Sequence, residues 1–362
     1  MNPKMLLTAA AFVQRRQLQH RRLHCLVAKQ NRVVLRRAMT SSSDLDDIDK
    51  AGKFFDMEQR NWEKGFDAYD KGFGPLTQQT ISTLLSDGGF PPPSTSISEE
   101  RPFKLLDVAT GPGFVLSGAI DAAMKINRRS EENRCSNYQF IGLDITQNFL
   151  NMAKRRIDAQ LQHYQQQTEV ENVHFNIDFV VGSAESLPFD DESFDSIVCN
   201  FGILHFFHPD KFLRESLRVL RPGGRVCFSA WAPPDRTEGF RITLESIAAV
   251  GNPNVEGLPE GPNFFDFGDS NQAMKVLQDV GFDETKSVEL SEMQWTSINN
   301  GSELYDVMLQ GTSRTREVLL GQTQDESRAI ASCMTEKYTT VTNSGKRYLA
   351  MPAVITSGRK PE

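Results

Sequence analysis

The chain has 362 residues, 39% of them hydrophobic and 24% charged, which suits one large domain or two small ones with a sizeable core. No apolar run approaches about 18 residues, so a spanning helix is not indicated. Residues 1–43 hold nine Lys/Arg and no Asp or Glu; removing those nine from 40 basic residues leaves 31 against 47 acids, a net charge of −16 over residues 44–362 that excludes nucleic acid as the main partner. The five cysteines lie far apart with no CxxC, and His205 and His208 have no third ligand at suitable spacing, so neither a disulfide framework nor a metal site is expected.

Residues 1–43 are Arg-rich, acid-free and end in serines, the composition of an organelle transit peptide, mitochondrial before plastid. The alternatives are a disordered basic tail, or sequence upstream of a start at Met39, on a cytoplasmic protein. Residues 44–362 read as one domain. A helical cover (44–100) carries Phe54, Phe55, Trp62, Phe66 and Tyr69 and ends in the Gly/Pro/Ser-rich stretch 87–102.

A core at 101–300 follows. Strands are expected at 103–109, 138–145, 177–183, 194–203 and 225–232. Helices are expected at 113–126, at 146–167 with Thr146 as N-cap, and at 209–220 with proline in the first turn. "RPGG" (221–224) reads as a helix stop without chemistry. A helix at 271–282 ends at Gly281, and strands at 285–295 and 346–356 flank a mostly helical insertion at 301–340, with the last strand and tail at 341–362. Alternation of strands and helices implies an α/β fold, a doubly wound Rossmann-like sheet of seven strands. The last strand is expected to insert antiparallel beside its predecessor. The insertion is too long for a tight turn and should cover a face or a pocket mouth.

The stretch "LLDVATGPGF" (105–114) carries the chemistry. In open α/β sheets ligands bind at the carboxyl ends of strands, where this loop lies. It begins a GxGxxG dinucleotide fingerprint at Gly111 and Gly113, but the third position is Leu116. Pro112 removes an N–H from a loop that should donate to phosphate. Asp107 places a carboxylate where pyrophosphate would be repelled and a cation welcomed. No Lys-Ser/Thr follows, which excludes a P-loop. A phosphate-free nucleoside with positive charge fits these features, and S-adenosylmethionine is such a ligand. Asp144, 31 residues after Gly113, ends the second strand and can accept both ribose hydroxyls.

On these residues the chain resembles the class I S-adenosylmethionine-dependent methyltransferases, in the broad small-molecule, type 11-like group. "LLDVATGPG", "IGLDIT", "VGSAESLPFDDESFDSIVCNFGILHF" and "LRVLRPGGRV" resemble the family's successive motifs, and "WEKGFDAYDKGFGPLTQQTISTLL" its helical cover. The resemblance implies that Asp107, Ala109, Gly111 and Gly113 line the methionine end of the cofactor. It implies that Asp144 holds the ribose, that Ile145 packs on adenine, and that Ser183, Ala184 and Glu185 edge the adenine. Asn200 and Phe201 would lie under the methyl donor. Ala109 stands where the first loop glycine is common, and Ser183 where an aspartate often contacts the adenine amino group.

Methyl transfer requires mainly alignment of nucleophile, methyl and sulfur, so no acid/base pair is obligatory. His205 is the one weak candidate for a base. Trp62 and Tyr69 read as core aromatics of the cover or as ligand contacts. The phenylalanines of 260–269 either wall an apolar or aromatic acceptor or plug the core. Arg314 and Arg316 read as a solvated helix face. The expected function is methyl transfer to a small molecule. The rivals are a quinone-biosynthesis-type C-methyltransferase in mitochondria, and a binding or assembly protein that keeps the fold without turnover. Acceptor, methylated atom and oligomeric state are not legible.

Overall fold

The computed structural model describes residues 42–92, 101–129, 136–166, 173–343 and 345–362; the basic stretch 1–41 and most of the Pro/Ser-rich stretch at 93–100 lie outside them. The chain divides into two compact units, Met1–Lys53 and Phe54–Glu362. Helix α1 (Ser42–Gly72) begins in the first unit. There, Lys50–Asp46 and Lys53–Asp49 are i,i+4 ion pairs on its surface.

In the second unit α1 is followed by α2 (Gly74–Thr77) and α3 (Ile81–Asp87). The sheet strands follow in the order β1 (Phe103–Val108), β2 (Ser136–Asp144), β3 (Val173–Val181), β4 (Phe194–Asn200) and β5 (Leu220–Trp231), then β6 (Asp283–Leu290). A short pair, β7 (Gln294–Trp295) and β8 (Leu349–Ala350), lies apart from the sheet, which β9 (Ala353–Arg359) completes. The seven-stranded sheet runs β3-β2-β1-β4-β5-β9-β6. The first five strands pair in parallel; β9 enters between β5 and β6, antiparallel to both. Strand order reverses between β1 and β4, and their carboxyl ends open the crevice in which such folds bind ligands.

Both faces of the sheet are covered, which explains why the strands read as near-continuous apolar runs. Side chains alternate between two cores. Leu105, Val198 and Cys227 turn to one, with Leu84 and Ile120; Leu106, Val108, Ile197, Cys199, Val226 and Phe228 turn to the other, with Phe212 and Leu277. Each fully buried Leu or Phe here contributes about 1.5–3 kcal/mol. The covering helices are α4 (Phe114–Arg129), α5 (Gln147–Gln166), α6 (Pro209–Val219), α7 (Glu238–Val250) and α8 (Ser270–Val280). Gly281 ends α8 in the left-handed region at φ 114°.

The structure departs from the sequence reading at several points. Strand β3 starts four residues early, at Val173. "RPGG" does not stop a helix ahead of the strand but lies inside β5, where the pairing with β4 shifts register and Gly223 takes φ 76°. A glycine bulge is thus built into the strand. The expected strand 285–295 breaks at Ser291, and its last two residues leave the sheet to pair with β8. Helix α7 follows a Pro-Pro-Asp turn that hid its start.

The insertion forms α9 (Gly301–Gln310), α10 (Arg314–Leu320) and α11 (Gln324–Thr342), the last opened by a reciprocal Thr323/Glu326 capping box. It packs on the cover. Asn61 donates to Glu317 at 2.8 Å, Arg60 pairs with the same carboxylate at 2.9 Å, and Trp295 donates its indole N–H to Gly72 at 2.9 Å. Arg314 and Arg316 are not a solvated face. They are half-buried and donate to the carbonyls of Pro259 and Leu309, because α10 lies against the 251–269 loop and α9.

Candidate functional site

The site forms where β1, β2 and β4 end. After β1 the chain turns through Ala109 (φ 55°), Gly111 (φ 52°) and Gly113 (φ 82°) before α4 begins. Gly113 is required twice: its φ disfavours a side chain, and a Cβ there would lie 2.8 Å from that of Ala153 on α5. At Gly111 a Cβ would meet nothing closer than the Ala109 carbonyl at 3.9 Å, so the loop backbone borders open space. Ala109 holds a left-handed conformation that glycine adopts more readily, and its methyl packs where Gly202, after β4, leaves room.

Asp107 lies beneath this loop. It is fully buried; Thr110 donates to Oδ2 at 2.6 Å, and Oδ1 has no hydrogen-bond partner among the described residues. Burial pushes its carboxyl up to about 7, against the opposing pull of the Thr110 hydroxyl. Asp144, 6% exposed, accepts from Gly111 N at 3.0 Å on Oδ2 and from Thr146 N and Oγ1 at 2.9 and 3.0 Å on Oδ1. Burial raises its pKa as well, although these donors pull it down. Thr146, the residue just before α5, donates its hydroxyl proton to Asp144. Asp144 therefore ties the second strand to the glycine loop and keeps acceptor capacity on Oδ2 for one hydroxyl, not for both hydroxyls of a ribose.

An S-adenosylmethionine molecule fits these residues. The buried, unpartnered Oδ1 of Asp107 supplies negative potential under the loop, Asp144 has oxygen capacity for ribose, and the cradle over Gly111 is open. Pro112 donates no N–H; its carbonyl instead accepts from Arg156, whose guanidinium also pairs with Asp70 at 2.7 Å and lies 4.1 Å over the Phe114 ring. Arg156 clamps the loop between α5 and the cover, a role with no sequence signal.

Of the expected adenine residues, Ile145 is half-buried and its carbonyl accepts from Gln59 at 3.2 Å. The Ser183 hydroxyl already accepts the Glu185 N–H at 3.2 Å, a local turn contact, and Ala184 is buried beside it. Glu185 accepts from His208 N at 3.1 Å, joining this turn to the start of α6. Asn200 is locked by Thr80, Ser229 and the Thr77 carbonyl at 2.7, 2.6 and 3.1 Å. Phe201 takes φ 57° and stacks on Trp231 at 4.0 Å; its ring is core, so only its backbone borders the crevice.

His205 ends a single 3-10 turn (Ile203–His205) after β4. Its Nδ1 lies 3.1 Å from Oε2 of Glu58, which is 2% exposed and also accepts the Trp62 indole N–H at 2.8 Å. Trp62 stands edge-on to His205 at 5.0 Å and contacts Tyr69 and Phe149 at 5.5 and 6.0 Å. Phe264 reaches His205 at 5.5 Å, and Phe54 reaches Phe207 at 5.6 Å. Burial pushes the Tyr69 hydroxyl up to about 12. In the 260–269 loop Phe267 is buried against Phe228 and plugs the core, while Phe264 stands against His205. Glu58 escaped the sequence reading because an acid in a charged helix looks solvated; its i,i+4 spacing to Trp62 was the only trace. Among the described residues, no cluster of His, Cys, Asp and Glu could hold a metal.

A methyltransferase-domain family profile matches residues 106–228. The ubiquinone/menaquinone biosynthesis C-methyltransferase UbiE of Bartonella bacilliformis is 31% identical over 206 residues, 55% of this chain and 67% of that protein. The demethylmenaquinone methyltransferase of Renibacterium salmoninarum is 28% identical over 153 residues, 41% and 52% of the two chains. A solved Haemonchus contortus phosphoethanolamine N-methyltransferase 2 is similar over 85% of this chain and 60% of that one, at 17% identity and TM-score 0.44.

Proposed function

Since this chain belongs to the class I S-adenosylmethionine-dependent methyltransferases, we propose that its acceptor is a hydroxylated aromatic ring of the quinol type, methylated at carbon. The observation that carries this reading is the cluster of partly exposed rings, Trp62, His205 and Phe264, just after the carboxyl end of β4. Flat aromatic acceptors pack edge-to-face on such rings. The relatives named for ubiquinone and menaquinone biosynthesis support the same substrate class.

S-adenosylmethionine supplies a methyl already activated on a sulfonium. The protein's task is positioning. Asp144 would orient the ribose, the turn at Ala109–Gly113 would leave room for the methionine end, and Ile145 would pack on adenine with Ala184 beside it. Helix α1 is joined to the end of β2 through Gln59 and Ile145, and to the insertion through Asn61 and Glu317.

The test is incubation of the full chain with methyl-labelled S-adenosylmethionine and a short-chain hydroquinone lacking one ring methyl. Label on ring carbon is expected. Label on oxygen alone, or none while S-adenosylhomocysteine still binds, refutes the reading. We further propose that residues 1–43 direct the chain to mitochondria; import into isolated mitochondria with shortening of the chain is expected, and loss of import on replacing Arg15, Arg16, Arg21 and Arg22 by Gln.

A further inference from the structure

We infer that Glu58 and His205 form a proton-accepting pair for the acceptor's ring hydroxyl, His205 taking the proton and Glu58 holding the imidazole in position. This deepens the quinol reading and rests on it. With a Glu58 oxygen 3.1 Å from Nδ1, the tautomer that pairs with it carries its proton on Nδ1. The lone pair is then on Nε2, which has no partner among the described residues, and 23% of the His205 side chain remains exposed. Glu58 is fixed in turn by the Trp62 indole N–H, and Trp62 and Phe264 hold the imidazole on two sides. A buried carboxylate oxygen thus lies 3.1 Å from the inner imidazole nitrogen.

The location matches the task. His205 follows β4 by one turn, and that turn touches the glycine loop, since a Cβ on Gly202 would lie 2.6 Å from that of Ala109. Trp62 reaches from His205 to Phe149, in the first turn of α5 after Asp144. The pair therefore faces the strand ends that carry the cofactor-binding residues.

The step balances as follows. The ring hydroxyl gives its proton to Nε2, and the imidazolium is held against Glu58. The electron pair freed on oxygen moves into the ring, and the carbon beside it attacks the methyl. A C–C bond forms as the C–S bond breaks, and sulfur keeps the bonding pair in a neutral thioether. The methylated carbon loses its proton to water, and His205 returns its proton to the oxygen.

Kinetics on the full chain with the hydroquinone acceptor test the pair. His205→Ala is expected to lower kcat by about 10²-fold or more, the usual contribution of a general base. KM for the acceptor and calorimetric binding of S-adenosylhomocysteine should change little, and added imidazole should restore part of the rate. Glu58→Gln should lower kcat, and Glu58→Asp recover part of it. Bound 4-nitrophenol, yellow only when ionised, should show phenolate colour with the wild type and S-adenosylhomocysteine but not with His205→Ala. Wild-type kcat in His205→Gln overturns the inference. So does a loss confined to KM and thermal stability without imidazole rescue, which marks a purely structural histidine. If the wild type itself transfers no methyl to the hydroquinone, the quinol reading fails instead.

Discussion

Replacing Asp107 by Asn tests the electrostatics of the glycine loop. The carboxyl is fully buried and raised from 3.8 to about 7. Between these values the folded chain stays protonated while the unfolded chain ionises, so unfolding releases a proton. Stability from this group is therefore complete below about pH 4, falls as pH rises, and is lost above about pH 7. A shift of about 3 units amounts to about 4 kcal/mol. Asparagine carries no charge to desolvate. Its NH2 group, however, would occupy the place of Oδ1, which has no partner among the described residues, at a cost of about 1–3 kcal/mol. Without added ligand, Asp107→Asn should therefore match or fall below the wild type at pH 5 and exceed it by about 1–3 kcal/mol at pH 8. Urea unfolding at fixed salt across this range measures both. The wild type should lose about 2–3 kcal/mol more than the variant between pH 5 and 8. Parallel curves would refute the reasoning. The same charge should favour a cationic ligand: S-adenosylhomocysteine, with its α-amino group, should bind the wild type more tightly with rising pH, and the variant without that slope. Asp144, also raised by burial, contributes its own slope to both proteins.

Three further outcomes follow from the same loop. Asp144→Ala removes an acceptor for the ribose and should weaken S-adenosylhomocysteine by about 10²-fold in calorimetry, the worth of one charge-assisted hydrogen bond; unchanged affinity would mean that the end of β2 does not hold the ribose. Gly113→Ala forces a side chain into the left-handed region and against Ala153, and chemical unfolding should show a loss of about 2–4 kcal/mol. Arg156→Met frees Pro112 and Asp70 and should weaken cofactor binding several-fold. Arg156→Lys should not restore it, since a single ammonium cannot replace a planar group that bonds two partners and lies over Phe114; full affinity in the lysine variant would show that the clamp acts by charge alone.

Much of this protein is local in its chain. Near-continuous apolar runs such as Phe103–Val108 and Phe194–Asn200 announce strands buried on both faces. Gly281 announces a helix end, and the separation of Asp107, Gly111, Gly113 and Asp144 announces the carboxyl ends of β1 and β2. Right-handed crossovers then leave few ways to assemble them, which is why the doubly wound sheet and its inserted last strand were legible. The glycine bulge in β5 was not, because RPGG looks the same as a turn until a neighbouring strand pairs across it. Arg314 and Arg316 looked solvated for a similar reason: the carbonyls that receive them, on Pro259 and Leu309, lie on other segments.

The amino-acid order by itself determined the class of fold, the glycine loop after the first strand and the acid that ends the second strand. Each of these depends on residues within one or two consecutive elements. Only the tertiary structure decided that Asp107 lies under the loop, that Asn200 is held by Thr77, Thr80 and Ser229, and that Glu58 meets His205 across nearly 150 positions of chain. A carboxylate's role is set by what desolvates it and what donates to it, and in a folded chain those groups come from elsewhere in the sequence.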